Sequence, residues 1–325
     1  MQRRELITLL GGAAAAWPLA ARAQQAIPVV GFLNGGSADA FEPFVLAFRE
    51  GMRKTGFTDG QNVAVEYRWA EGRIERLPPL AADLVQRRPA VIVATGGDNS
   101  AFAAKAATAT IPVVFVVGAD PAKSGLVAGL ARPGGNATGV SLFSTEVAPK
   151  QLDLLREMVG SNSAVGMIVN PSNPNAQAQI QGAQEAARAR GIDLHVVNIA
   201  GESDFEPAFA SLKQHVSALM VGADGFFTNR RYQLVGLAAR HGLPAMYFQR
   251  ALVTAGGLMS YGSSIEAAYR QAGTYAGSII KGIKPTELPV LLPTKFDFVI
   301  NLQTAKVLGR ELPPTLLALA DEVIE

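Results

Sequence analysis

Residues 91–117 read VIVATGGDNSAFAAKAATATIPVVFVV. An apolar run at Val91–Ala94 stops at Thr95-Gly96-Gly97-Asp98-Asn99-Ser100, gives way to an alanine-rich stretch near 99–108, and resumes at Val113–Val117. Neither run alternates apolar with polar residues, so each reads as a strand covered on both faces, and the helical stretch between them makes the pair parallel. This strand–loop–helix–strand unit decides the fold class, because the same plan recurs along the chain.

On the amino-terminal side it gives strands at Val29–Leu33 and Val63–Tyr67, with helices near 40–55 and 75–88. On the carboxyl-terminal side it gives a helix near 122–131 and a strand at Thr138–Leu142, then strands at Val165–Val169, Leu194–Asn198, Ala218–Val221, Ala245–Phe248 and Gly257–Tyr261. The helices of that second half fall near 174–190, 204–215, 228–241 and 264–282. The tail from Leu291 adds a strand at Phe296–Ile300 and one or two helices around Pro313-Pro314. The expectation is an α/β chain of two Rossmann-like, doubly wound parallel-sheet lobes, with about five βα steps in each.

Composition removes several function classes. The 325 residues hold no cysteine, which excludes a disulfide scaffold, thiolate-ligated metal and a thiol nucleophile. Three scattered histidines make no metal-ligand pair, so no metal site and no cofactor is expected. Residues 1–23 combine Arg3-Arg4, an apolar alanine-rich stretch and Ala21-Arg22-Ala23, the plan of a twin-arginine-type signal peptide cleaved after Ala23. The whole chain carries 29 basic and 27 acidic residues; without the leader, 26 of each remain. A neutral mature chain offers no field for nucleic acid or an anionic membrane, and no other stretch is apolar enough for membrane insertion. A periplasmic location follows from the leader.

Enzyme signatures fail in turn. The first βα turn, Gly31-Phe32-Leu33-Asn34-Gly35-Gly36, lacks the dinucleotide fingerprint, and there is neither a phosphate-binding P-loop nor a Gly-x-Ser-x-Gly elbow. His195, His215 and His241 read as structural or surface residues, and Asp98, Asp120 and Asp224 lie in separate loops. No catalytic residue is assigned. What the loops do share is small polar composition: Asn34 to Ser37, Thr95 to Ser100, Gly118 to Asp120, Asn170 to Pro174 and Gly222 to Gly225. Ligands of doubly wound sheets bind beyond the carboxyl ends of the strands, where these loops gather, and several lead into helices whose free N–H groups suit a carboxylate.

Three segments carry a family resemblance. Leu130-Ala131-Arg132-Pro133-Gly134-Gly135-Asn136-Ala137-Thr138-Gly139-Val140-Ser141, the tail Phe296-Asp297-Phe298-Val299-Ile300-Asn301 with Pro313-Pro314-Thr315-Leu316, and the leader through Gln25 resemble ABC-transporter substrate-binding proteins of the tryptophan/tyrosine transport type. The resemblance implies a type I periplasmic-binding fold: an N-terminal lobe of 27–143 plus 258–290 and a C-terminal lobe of 144–257 plus 291–325. It places hinge crossings near 142–148, 255–262 and 288–295. It further implies a small-molecule ligand, best an aromatic amino acid or related aromatic acid, and an ABC permease of the inner membrane as partner. Presentation of ligand to a membrane sensor, or an exported α/β enzyme, is the alternative.

Carried over by loop, the ligand-binding residues are Asn34, Ser37, Gly97, Asn99, Ser100 and Asp120 of the first lobe, and Asn170, Pro171, Ser172, Asn173 and Asp224 of the second. Asp224 is suited to the ligand's ammonium, because a buried carboxylate needs a cationic partner. Gly225-Phe226-Phe227 departs from the small polar residues usual after that aspartate. Phe227, with Tyr247 and Tyr261, is therefore expected to line an aromatic pocket.

Overall fold

Two sheets, one in each lobe, organise the chain in a computed structural model that describes residues 27–160 and 163–325. The expected signal peptide lies outside the described residues. Strands β1 (Val29–Asn34), β2 (Ala64–Trp69), β3 (Val91–Thr95), β4 (Val113–Val117) and β5 (Ala137–Ser141) form the first sheet in the order β2-β1-β3-β4-β5, all parallel. Helices α1 (Ala38–Lys54), α2 (Leu77–Gln86) and α3 (Asp98–Ala107) connect them.

The second lobe begins with α4 (Ala148–Val159) and continues through β6 (Val165–Val169), α5 (Ala176–Arg190), β7 (Leu194–Asn198), α6 (Phe205–His215) and β8 (Ala218–Val221). Then come α7 (Gly225–Asn229), α8 (Arg231–Arg240), β9 (Ala245–Tyr247), α9 (Arg250–Thr254) and β10 (Met259–Ser263). After α10 (Ile265–Ile280), the tail supplies β11 (Phe296–Asn301), α11 (Leu302–Val307), α12 (Pro314–Leu319) and β12 (Glu322–Ile324). The second sheet runs β12-β11-β10-β9-β8-β6-β7.

The apolar runs behave as their lack of alternation requires. In β4, Val114 and Val116 enter the core shared with Phe32, Phe48 and Tyr269, while Val113, Phe115 and Val117 enter the core on the opposite face. β8 does the same with Ala218 and Met220 on one face, Leu219 and Val221 on the other. Each large side chain so buried contributes roughly 1.5–3 kcal/mol relative to exposure, so two filled faces per sheet hold each lobe together.

Three expectations need correction. The helix expected near 122–131 is a series of turns. Gly125 sits at φ +75°, outside helical backbone, and Leu126 and Val127 N–H groups both turn back to the Pro121 carbonyl. Lys105 Nζ donates to the freed carbonyls of Gly125 and Leu126, at 2.8 and 2.7 Å. The lobe boundary expected before 258 also moves: β10 pairs with β9 and β11 in the second sheet, and the chain passes to the first lobe at Ser263-Ser264, where Ser264 caps α10. Finally, the second sheet is not wholly parallel, since β10 and β11 run antiparallel.

The chain therefore joins its lobes three times. It crosses between β5 and α4, and again from β10 to α10, which packs against α1 in the first core. It returns after Leu291, which exchanges backbone hydrogen bonds with Gly139 and Ser141 at the edge of β5 before the tail enters β11.

Candidate functional site

In both sheets the strand order reverses direction between the first and third strands of the lobe, β1 and β3 in one, β6 and β8 in the other. At such a switch point the following loops diverge and leave a crevice. Those four loops face one another across a cleft between the lobes.

The first lobe brings Gly96, Gly97 and Asp98 to the cleft from the end of β3, with Gly118 from the end of β4. Gly97, at φ +123°, precedes α3, and Asp98 opens that helix. The Asp98 carboxylate turns sideways under the neighbouring loop and accepts from Gly118 N at 2.6 Å and Ala119 N at 3.1 Å. It is 5% exposed, and burial pushes its carboxyl above the ordinary range against the pull of those two N–H groups.

From the second lobe, Asp224 caps α7 through Phe226 N at 2.7 Å and accepts from Asn170 Nδ2 at 3.1 Å. Asn173 and Gln179 both donate to the Ala223 carbonyl at 3.0 Å, while the Gln179 amide oxygen accepts from Ala223 N. The loop that carries Asp224 is thus fixed before anything binds. Asp224 keeps a surface open to the cleft, yet protein surrounds it closely enough that desolvation, with Asp98 adding repulsion, raises its pKa to about 6.

The remaining wall is apolar and aromatic. Phe41, Tyr269 and Ile265 come from the first lobe's helices, Phe248 from the end of β9, and Leu142 and Val147 from the first crossing segment. Together these groups line the space between the lobes. Among the described residues lining the cleft there is no lysine, arginine or histidine.

The lobes touch around the rim. Asn229 Oδ1 accepts from both the backbone N–H and the hydroxyl of Ser37 at 2.9 Å, and Arg231 Nη1 donates to Ala40 O at 2.8 Å. Asn99 Nδ2 donates to the Ser172 carbonyl at 3.1 Å. At the closest point, a Cβ added to Gly225 would lie 2.1 Å from Gly96 O, so the approach of the lobes requires glycine there.

Of the expected site residues, Gly97, Asn173 and Asp224 line the cleft. Asn170 supports Asp224 from behind. Ser37, Asn99 and Ser172 make the rim contacts, with Pro171 exposed beside them. Asn34 is fully buried and braces the loops, donating to Thr95 Oγ1 and Tyr269 Oη while accepting from Gly36 N. Ser100 is buried below the cleft, and Asp120 caps its own turn at Ala122 and Lys123. The aromatic assignments do not hold. Phe227 is buried against Phe205 and Phe226, Tyr247 lies in the same core, and Tyr261 stacks on Phe296 in a separate groove.

Sequence reading missed Phe41, Tyr269 and Phe248, whose helical and strand-end positions look like ordinary core. It also passed over Asp98, which in Gly-Gly-Asp-Asn-Ser reads as one more helix-start residue.

Residues 26–324 match the family described as ABC transporter substrate binding protein. A curated relative, the tyrosine-binding protein of Clostridioides difficile strain R20291, is 25% identical over 264 residues, covering 81% of this chain and 76% of the relative. Among solved structures, a conserved domain protein from Vibrio cholerae is 25% identical with a TM-score of 0.85, covering 91% of this chain and 99% of that one. The ABC domain in complex with L-Trp from Streptococcus pneumonia has a TM-score of 0.84 at 23% identity, with the same coverage. A ligand-free, open substrate binding protein from Clostridium difficile gives 0.66 at 24% identity, covering 92% and 99%.

Proposed function

Because the chain belongs to the ABC transporter substrate-binding protein family, we propose that it captures an aromatic amino acid in the interlobe cleft and delivers it to an ABC permease of the inner membrane. Members of this family are binding proteins that act outside the cytoplasm, and no described helix is long and apolar enough to cross a membrane. Action in the periplasm, after cleavage of the leader at Ala23, is part of the proposal.

One observation carries the reading: a carboxylate without a cationic partner, Asp224, lies in the same cleft as the rings of Phe41, Tyr269 and Phe248. A buried carboxylate is costly unless something neutralises it, and an ammonium on the ligand does so. The rings offer flat apolar surface to the rest of the ligand. The names of two relatives, one tyrosine-binding and one solved with L-Trp, point the same way. The contacts of Ser37 with Asn229 and of Asn99 with Ser172 across the rim are those of a closed arrangement.

The mechanism is a population shift. Contacts that need both lobes exist only when the cleft is closed, so ligand stabilises closure by its differential affinity for that state. The permease then recognises the closed form. Calorimetric titration of the refolded protein with L-tryptophan and L-tyrosine tests the reading. We expect saturable one-to-one binding with a negative heat-capacity change from burying the ring. Heats no larger than dilution for every aromatic amino acid would sink it.

A further inference from the structure

The cleft has one negative group from each lobe. Asp98 begins α3 in the first lobe, directly after Gly97, and Asp224 precedes α7 in the second, directly before Gly225, which packs against Gly96 and Gly97. A Cβ on Gly97 would lie 3.9 Å from Gly225 N. Closure therefore carries the two carboxylates toward each other, into a space from which the aromatic side chains exclude water. Coulomb repulsion strengthens as water leaves.

Nothing described in the cleft neutralises them. The other ionisable lining group is the Tyr269 hydroxyl, whose burial raises its pKa and keeps it neutral. The guanidinium groups on the packed elements are turned elsewhere, Arg230 to Glu202 and Arg231 to the carbonyls of Ala40 and Thr228. Both aspartates accept only neutral donors. Each carboxylate oxygen still has capacity for another hydrogen bond. A second observation points to a ligand in the same place: Asn175, 6% exposed and lining the cleft, leaves its amide nitrogen without a partner.

We propose that Asp98 and Asp224 form a two-carboxylate clamp that holds the lobes apart until a multiply donating cation, a primary ammonium or a guanidinium, enters between them. Asp98 is thereby a specificity-determining residue, and the unpaired Asn175 amide takes an acceptor on the ligand. The inference rests on the receptor reading above and deepens it: the obligatory feature of the ligand is its cation. An aromatic amine meets that demand and a deaminated aromatic acid does not.

Small-angle scattering of the unliganded full chain tests the clamp without knowing the ligand. The parent protein should contract as pH falls from 7.5 to 5, because protonation removes the repulsion. Asp98→Asn and Asp224→Asn should already be contracted at pH 7.5. Identical profiles for parent and both variants at every pH would overturn the proposal. A paired titration uses tryptamine and indole-3-propionate as probes. The parent should prefer the amine by at least about tenfold, and either variant should lose most of that preference. A general loosening of the Asp98 loop would instead weaken both probes alike, leaving the ratio intact and the clamp refuted. If scattering behaves as expected while no aromatic compound binds, the clamp stands and the aromatic receptor reading fails.

Discussion

Asp224 illustrates how the site's chemistry was read and where reading stopped. An aspartate after the third strand of a lobe is visible in the sequence, and its place in the cleft follows from topology. Its partner Asp98 was not legible, because the loop after β4 decides where that carboxylate points. Asp224→Ala should weaken an ammonium-bearing ligand by more than about tenfold, measured by titration, since it removes the cation's partner. The pH dependence has a definite sign. The folded pKa of about 6 lies above the ordinary 3.8, so Asp224 contributes stability below pH 3.8 that is lost as pH rises through 6. Melting curves of unliganded parent and Asp224→Asn should therefore diverge between about pH 4 and 6, with the parent losing relative stability as pH rises. Binding of a cationic ligand runs the other way and weakens below pH 6. Phe227 was misread because adjacent rings at 226 and 227 give no clue to which faces the cleft. Phe227→Ala should cost about 3–5 kcal/mol of stability and reduce affinity equally for aromatic and small ligands, as a core deletion does.

At the scale of elements, the strands were legible because burial on both faces imposes an unbroken apolar run. Val113–Val117 and Val165–Val169 appear in the structure with the bounds the sequence suggests. The segment 122–131 was not legible, since alanine, leucine and lysine suit a helix until Gly125 and the Lys105 side chain settle on turns. The exit from the second lobe was hidden as well. β10 looks like any strand, and its antiparallel partner β11 lies more than thirty residues away, beyond α10. Helix α7 carries a sharper consequence. A methyl group at its first residue, Gly225, runs into the Gly96 carbonyl only when the lobes meet. Gly225→Ala should leave the unliganded melting temperature nearly unchanged and lower ligand affinity at least about tenfold by penalising the closed state. A variant that binds as tightly as the parent would show that full closure is not needed.

At the scale of the whole molecule, two lobes with separate cores are joined by three crossings and meet through a few rim contacts, Ser37 with Asn229, Asn99 with Ser172 and Arg231 with Ala40. In the proposed mechanism such an assembly converts binding into a change of shape, which is what a permease can recognise. The class of protein was legible because the two-lobed fold and the family-like segments at 130–141 and 296–301 agree. The residues lining the cleft were less so, because the meeting of the two lobes rather than local pattern brings Phe41, Asp98, Asp224 and Phe248 together. The most direct test is a thermal-shift panel on the refolded protein with amino acids, aromatic amines, aromatic acids, sugars and dicarboxylates. Ligand at 100 times its dissociation constant adds about 2.7 kcal/mol, a shift of a few degrees. The account predicts shifts for aromatic amino acids and amines and none for their deaminated acids. Stabilisation by dicarboxylates or sugars, with aromatic amino acids silent, would contradict it.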